Sequence, residues 1–300
     1  MDSELNSLED STVFGWFDWV SIILYFLSLC IIAIKVARNQ EEHVKSGRSK
    51  HETEAYFLAE KSVPWWAVGA SLFASNIGTE HFIGLAGNSA REGISVGFFE
   101  IGAIPCVLFL GFFFLPVYMN SNLMTSPDYL CKRYNKACRS ILVCLSLLLY
   151  VFTKVSVTLY AGQLIMSELS NFNGLLSILI LVVGTAVYTV MGGLGAVVYT
   201  EALQTIVLIV GGFVVLGFAL KNTGNIDELR NYFKDQNNRQ YFHLFRPIDD
   251  HDYPWTGFVF GFYSVAPWYW GIDQVIVQRA MAAKDILHGQ YGTVVAAFLK

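Results

Sequence analysis

The chain has 300 residues, of which 54% are hydrophobic and only 15% charged, with a mean hydropathy of +0.46. Soluble domains carry roughly a quarter charged residues, so this balance excludes an ordinary soluble domain and implies an integral membrane protein. The net charge of −4 offers no basic footprint for nucleic acid, and the five cysteines show neither zinc spacing nor a paired framework.

Residues 1–15 are acidic (Asp2, Glu4, Glu9, Asp10) with no base, unlike a signal peptide. Apolar stretches long enough to cross a bilayer are expected near 16–37, 63–89, 95–119, 140–167, 174–191, 197–220 and 255–278, with an eighth beginning near 289. Polar, mixed-charge residues 39–61 read as a cytoplasmic linker and 221–254 as an extracellular loop. Lys and Arg follow the first, third and seventh spans. The positive-inside rule therefore puts that side in the cytoplasm and the N-terminus outside. Gly192, Gly193 and Gly195 suit a tight turn between two spans. The expected domain structure is an extracellular segment 1–15 and one transmembrane unit, 16–300.

The second span carries the chemistry. SLFASNIGTEHFIGLAG (71–87) places Asn76, Gly78, Thr79, Glu80 and His81 inside an apolar run. Ionisable groups within a membrane are costly and mark solute or ion paths, and a helix that opens at Gly78 would free carbonyls for a hard cation such as Na⁺. Small polar residues also serve as helix-packing seams, which accounts for Ser71, Ser75 and Gly84 but poorly for Glu80 and His81. Glu100 stands alone in VGFFEIGAIP and can accept two hydroxyl hydrogen bonds. Lys154, in YVFTKVSVTLY, is either a functional charge or a snorkelling lysine. In PWYWGIDQVIVQR (267–279), Trp268, Tyr269 and Trp270 suit an interfacial belt or a sugar-stacking face. Asp273 and Arg279 are expected to pair with each other. Glu201 could attract an exiting cation or favour a helix N-terminus. No HExxH, Walker loop, GxSxG or Cys/His cluster is present, so nothing supports an enzyme.

SNIGTEHFIGLAG (75–87), GGLGAVVYTEALQT (192–205), WYWGIDQVIVQRAMAAKD (268–285) and AAFLK (296–300) together resemble the sodium/solute symporter family, most closely its sodium–glucose branch. The resemblance implies an all-α LeuT-type inverted-repeat fold with one extra N-terminal helix. It also implies Na⁺-coupled symport of a sugar or polyol by alternating access, with no cofactor beyond Na⁺ and no nucleic-acid partner, in a plasma membrane. Carried over by position, Asn76, His81, Glu100, Tyr269, Trp270 and Lys300 match substrate-pocket or inner-gate positions. Ala74 and Ile77 match positions whose carbonyls bind Na⁺, and Glu201 matches the Na⁺ exit route. Glu80 stands where many sugar transporters have Gly, and Ala266 where relatives have a sugar-holding Thr or Asn, so the solute is open among glucose, galactose and myo-inositol-like polyols. A sugar sensor without transport is the alternative from another class. The family core has ten helices, so the 300 residues read as its first repeat and the start of the second, a fragment expected not to transport alone.

Overall fold

The structure, a computed structural model, describes residues 15–45, 56–121, 123–170, 173–223, 227, 228, 230, 231 and 241–300. Most of segment 1–15, residues 46–55 of the expected linker and much of loop 221–254 lie outside the described residues. Helices dominate; the extended pairings among the described residues are two isolated bridges, Val63 with Ala283 and Arg246 with Pro254.

Helix α1 (Trp16–Lys45) continues past its apolar stretch. Gln40, Glu41 and Glu42 are good helix formers and no Gly or Pro intervenes before Gly47, so the linker expected from residue 39 begins as helix.

The second span is broken. Helix α2 (Trp65–Ala74) stops where Ser75, Asn76 and Gly78 remove helix propensity, and the chain resumes as a π-helical turn (Glu80–Leu85) leading into α3 (Ala86–Glu92).

Helix α4 (Ile94–Asn120) contains a further π-turn at Leu110–Phe114. Then come α5 (Ser126–Arg133), which opens with a Thr125/Asp128 capping box, and α6 (Lys136–Glu168), capped by Asn135. Helices α7 (Gly174–Val190) and α8 (Gly192–Asn222) reverse at Gly193, whose φ of 56° and ψ of −158° belong to glycine.

The stretch 255–278, expected as one span, is divided. A π-turn (Gly257–Phe262) enters α9 (Tyr263–Gly271), and α10 (Gln274–Met281) starts afresh beyond Ile272. Pro267 removes one intrahelical amide and Asp273 accepts from the Val275 amide at 2.9 Å, so it is the N-cap of a new helix. The chain ends in α11 (Ile286–Leu299), capped by Asp285.

Among the described residues, four helices (α1, α4, α6, α8) are long and apolar enough to cross a membrane unbroken, whereas α2, α7 and α11 are shorter apolar helices. The tightest packing joins α2, α4, α10 and α11. Leu58, Val63, Val68, Leu72, Val107, Leu110, Leu115, Ile276 and Val277 are all fully buried there. Gly69 and Gly292 bring α2 and α11 within van der Waals reach: a Cβ on Gly69 would lie 2.7 Å from Val295, and one on Gly292 2.6 Å from Val68. Between lipid-solvated helices such close approach supplies the attraction that hydrophobicity cannot. The amide of Val63 bonds to Ala282 O (3.1 Å) and that of Lys284 to Val63 O (3.0 Å), tying the entry of α2 to the exit of α10.

Candidate solute-binding site

The two broken helices face each other, and their polar residues join into one network with α4 and α11. Asn76 Nδ2 donates to Tyr269 Oη at 2.9 Å, while its Oδ1 accepts from Lys300 Nζ. Lys300 Nζ also pairs with Glu100 Oε2, and its side chain is 1% exposed. Glu100 Oε1 lies 3.1 Å from His81 Nε2. Below the lysine, Trp270 is buried with its ring centroid 5.5 Å from Nζ, and Tyr269 stands edge-on to it at 5.3 Å. Asn76, His81, Glu100, Tyr269, Trp270 and Lys300, far apart in sequence, are thus brought together. The Trp270 face, considered above as a sugar-stacking surface, is turned to the lysine.

The tautomer of His81 follows from its neighbours. The Gly78 amide donates to Nδ1 at 3.2 Å, so Nδ1 carries the lone pair and Nε2 the hydrogen that Glu100 accepts.

The two breaks treat their freed carbonyls differently. At the α9/α10 break, Tyr118 Oη donates to Gly271 O and Ser126 Oγ to Ile272 O, both at 2.7 Å, while Gln274 Oε1 accepts from the Ser126 amide at 2.7 Å. At the α2 break, the amides of Asn76 and Ile77 both turn back to Phe73 O at 3.2 Å, and the ladder restarts with His81 to Gly78 O. No hydrogen bond among the described residues reaches the carbonyls of Ala74 or Ile77. The hydrogen bonds that span this break thus run to Phe73 O and Gly78 O.

The expected Asp273–Arg279 pair does not form. Asp273, used as the cap of α10, is fully buried and takes Lys154 Nζ at 2.5 Å and Tyr150 Oη at 3.2 Å from the π-turn Tyr150–Val155 of α6. Lys154 also sits 4.6 Å from the Tyr269 ring centroid, which replaces the snorkelling alternative with a cation–π contact. Arg279 instead meets Glu201 on α8, with Nε to Oε2 at 2.9 Å and a second bond from Nη2 to Oε1. Ser71 Oγ on α2 donates to the same carboxylate. The sequence held a signal for both pairs: each of these membrane-depth charges needs a partner. Ala266 is buried and lines a cavity of about 470 Å³ with Phe99, Phe258 and Phe262.

Residues 56–300 match the sodium:solute symporter family. The chain belongs to that family. It is 40% identical over 298 residues to a Mus musculus protein named sodium/myo-inositol cotransporter 2 (94% of this chain, 43% of that one), and equally to the Homo sapiens counterpart. It is 37% identical over 298 residues to Mus musculus sodium/glucose cotransporter 1, covering 93% of this chain and 44% of the relative. A solved structure described as the substrate-bound outward-open state of a Na⁺-coupled sialic acid symporter superposes with a TM-score of 0.79 at 20% identity, over 95% of this chain and 57% of the other. The likeness establishes the LeuT-type helical fold. This symporter-family chain spans about 43% of the length of the curated relatives it matches. It is a multi-pass integral membrane protein.

Proposed function

We propose that the protein performs Na⁺-coupled symport of a hydroxyl-rich solute, a sugar or a polyol such as myo-inositol, by alternating access. The observation that carries this reading is the closed network of Asn76, His81, Glu100, Tyr269 and Lys300. Its donors and acceptors bond to one another, so an entering polyol can exchange each bond for one to a hydroxyl without leaving a buried polar atom unpaired. Glu100 would repel an anionic solute, which favours neutral hydroxyl groups over carboxylates. The names of the relatives include both myo-inositol and glucose transporters, and the slightly higher identity to the former favours the polyol.

In this reading Na⁺ binds first, taking the free carbonyls of Ala74 and Ile77, and thereby holds the α2 break in the geometry that presents Asn76 and His81. Tyr269 closes the inner side of the solute. Coupling arises because each ligand binds one state better than the other. For Glu201 to serve Na⁺ on its way out, its carboxylate must exchange Arg279 for the ion. The protein acts in the plasma membrane with its N-terminus outside and needs no cofactor beyond the coupling ion.

The test is uptake of labelled myo-inositol and glucose into vesicles holding the full-length protein. Uptake of at least one solute should require a Na⁺ gradient and vanish with choline in its place. Equal uptake in choline removes the cotransport reading, and Na⁺ current without accumulation replaces it with a sensor.

A further inference from the structure

Lys154 and Asp273 lie outside the network of the candidate site, yet they reach it through Tyr269. Lys154 Nζ is 2.5 Å from Asp273 Oδ2, 4.6 Å from the centroid of the Tyr269 ring and 5.0 Å from that of Tyr150. Tyr150 Oη donates to the other oxygen of the same carboxylate at 3.2 Å. One ammonium on α6 therefore sits against a carboxylate and two aromatic rings. The Asp273 side chain is fully buried whereas that of Lys154 is 34% exposed, so the carboxylate fixes where the ammonium must stay. The Tyr269 ring is thereby held from α6, while its hydroxyl is held from the α2 break by Asn76 at 2.9 Å.

A lysine in this place has a simpler explanation, since a buried carboxylate needs a countercharge. That need accounts for the contact with Asp273 but is indifferent to the ring, because a lysine is a point charge on a flexible stem and can approach a carboxylate from many directions. Two further features go with the ring. Lys154 stands in the π-turn Tyr150–Val155, and such turns inside helices recur at functional sites. Its two partners lie on opposite sides of the α9/α10 break, Tyr269 near the end of α9 and Asp273 at the cap of α10, so one cation spans the interruption. A cation over an aromatic face attracts the ring electrostatically, and more strongly where water is scarce.

We propose that Lys154 is a positioning residue for the inner gate: it keeps the Tyr269 ring across the inner side of the solute and makes that ring move with the start of α10. The proposal rests on the reading of Tyr269 as the inner closure. Lys154 touches no solute in this role; its ionic partner among the described residues is Asp273. Without the cation the ring is free to swing aside. Accumulated solute then leaks back down its gradient, and coupling to Na⁺ weakens although binding persists.

The experiment measures steady-state accumulation and initial-rate apparent affinity for labelled myo-inositol and glucose, in vesicles holding matched amounts of the full-length protein, alongside its thermal midpoint. The key variant is Lys154→Met/Asp273→Asn, which removes both charges together and leaves Asn as an accepted N-cap for α10. Accumulation should fall about threefold to tenfold, the share of gate closure that a desolvated cation–π contact supplies. Apparent affinity should move less than about twofold, and the midpoint should hold. Lys154→Arg, whose guanidinium can meet both a carboxylate and an aromatic face, should accumulate as wild type does. Wild-type accumulation in the charge-free variant would make Lys154 a countercharge only and overturns the proposal. A loss matched by weakened affinity or a lowered midpoint, or one shared by Lys154→Arg, overturns it as well. Tyr269→Leu should lose accumulation at least as far as the charge-free variant; wild-type accumulation there overturns the gate reading itself, and this proposal with it. Absence of accumulation in wild type overturns the symport reading and everything resting on it.

Discussion

At the scale of single residues, the molecule is organised by charges that must be matched where water is scarce. The Glu201–Arg279 pair is the clearest case, because both side chains are only 10% exposed and Ser71 adds a third bond. Two buried ions gain little over well-packed apolar residues, but one left alone is costly. Arg279→Ala should therefore destabilise the protein by about 3–5 kcal/mol, read as a large fall in thermal midpoint of the detergent-purified protein. The double variant Glu201→Gln/Arg279→Leu should recover most of that loss. A double variant no more stable than Arg279→Ala would show that the pair's worth lies in packing rather than charge balance. The matching of these charges was only half legible in the sequence. Each ionisable residue announced itself by standing in an apolar run, yet its partner did not. Asp273 and Arg279 are six positions apart and invited pairing, but the cap at Asp273 turns that carboxylate toward Lys154, 119 positions away, and Arg279 toward Glu201, 78 positions away.

At the scale of elements, what matters is where helices stop. The α2 break was readable because Asn76, Gly78 and Thr79 are poor helix formers bearing intramembrane polarity, a combination with few uses other than an opened backbone. The α9/α10 break was obscured by the apolarity of its surroundings, although Pro267, Gly271 and a capping Asp273 were all present. Hydrophobic length measures how much chain can sit in lipid and is blind to a two-residue interruption of a helix. The α7/α8 turn shows the opposite case, in which three glycines within four residues located the reversal and the structure assigns it to Gly193. Gly193→Ala should cost about 1–3 kcal/mol from backbone conformation alone, and its new Cβ would stand 2.8 Å from Tyr56 O. Gly211→Ala serves as the control, since nothing lies within 4 Å of a Cβ there. Equal thermal midpoints for the two variants would remove the requirement for a left-handed residue at 193.

At the scale of the whole molecule, the segment beginning at Tyr241 is fastened to the end of α3 and the start of α4, next to the candidate site. The Ile94 amide bonds to Tyr241 O at 2.9 Å, and Arg246, nearly buried, reaches the Glu92 carbonyl and lies 3.5 Å from both the Glu92 and Asp250 carboxylates. Burial pushes the Asp250 carboxyl up, but the amides of Tyr253 and Asp252 and the Arg246 guanidinium together hold it below its ordinary value of 3.8. A carboxylate with a lowered value in the folded state stabilises the fold fully above its ordinary value and loses that contribution as pH falls through the folded one. The fastening should therefore persist down to about pH 4 and loosen only in stronger acid. Asp250→Asn removes the charge and should make the loosened state present at neutral pH. Hydrogen exchange over 241–254 checks both statements: amides of Asp252 and Tyr253 should exchange faster in the variant at pH 7, and the wild type should reach the same rate, after correction for intrinsic exchange, only in acid. Protection in the variant equal to wild type would mean that the Glu92–Arg246 contact alone holds the segment against α3. Because this fastening is made to the same turn that leads into Glu100, its release should also weaken solute binding, whereas a fastening independent of the site would leave apparent solute affinity unchanged in Asp250→Asn.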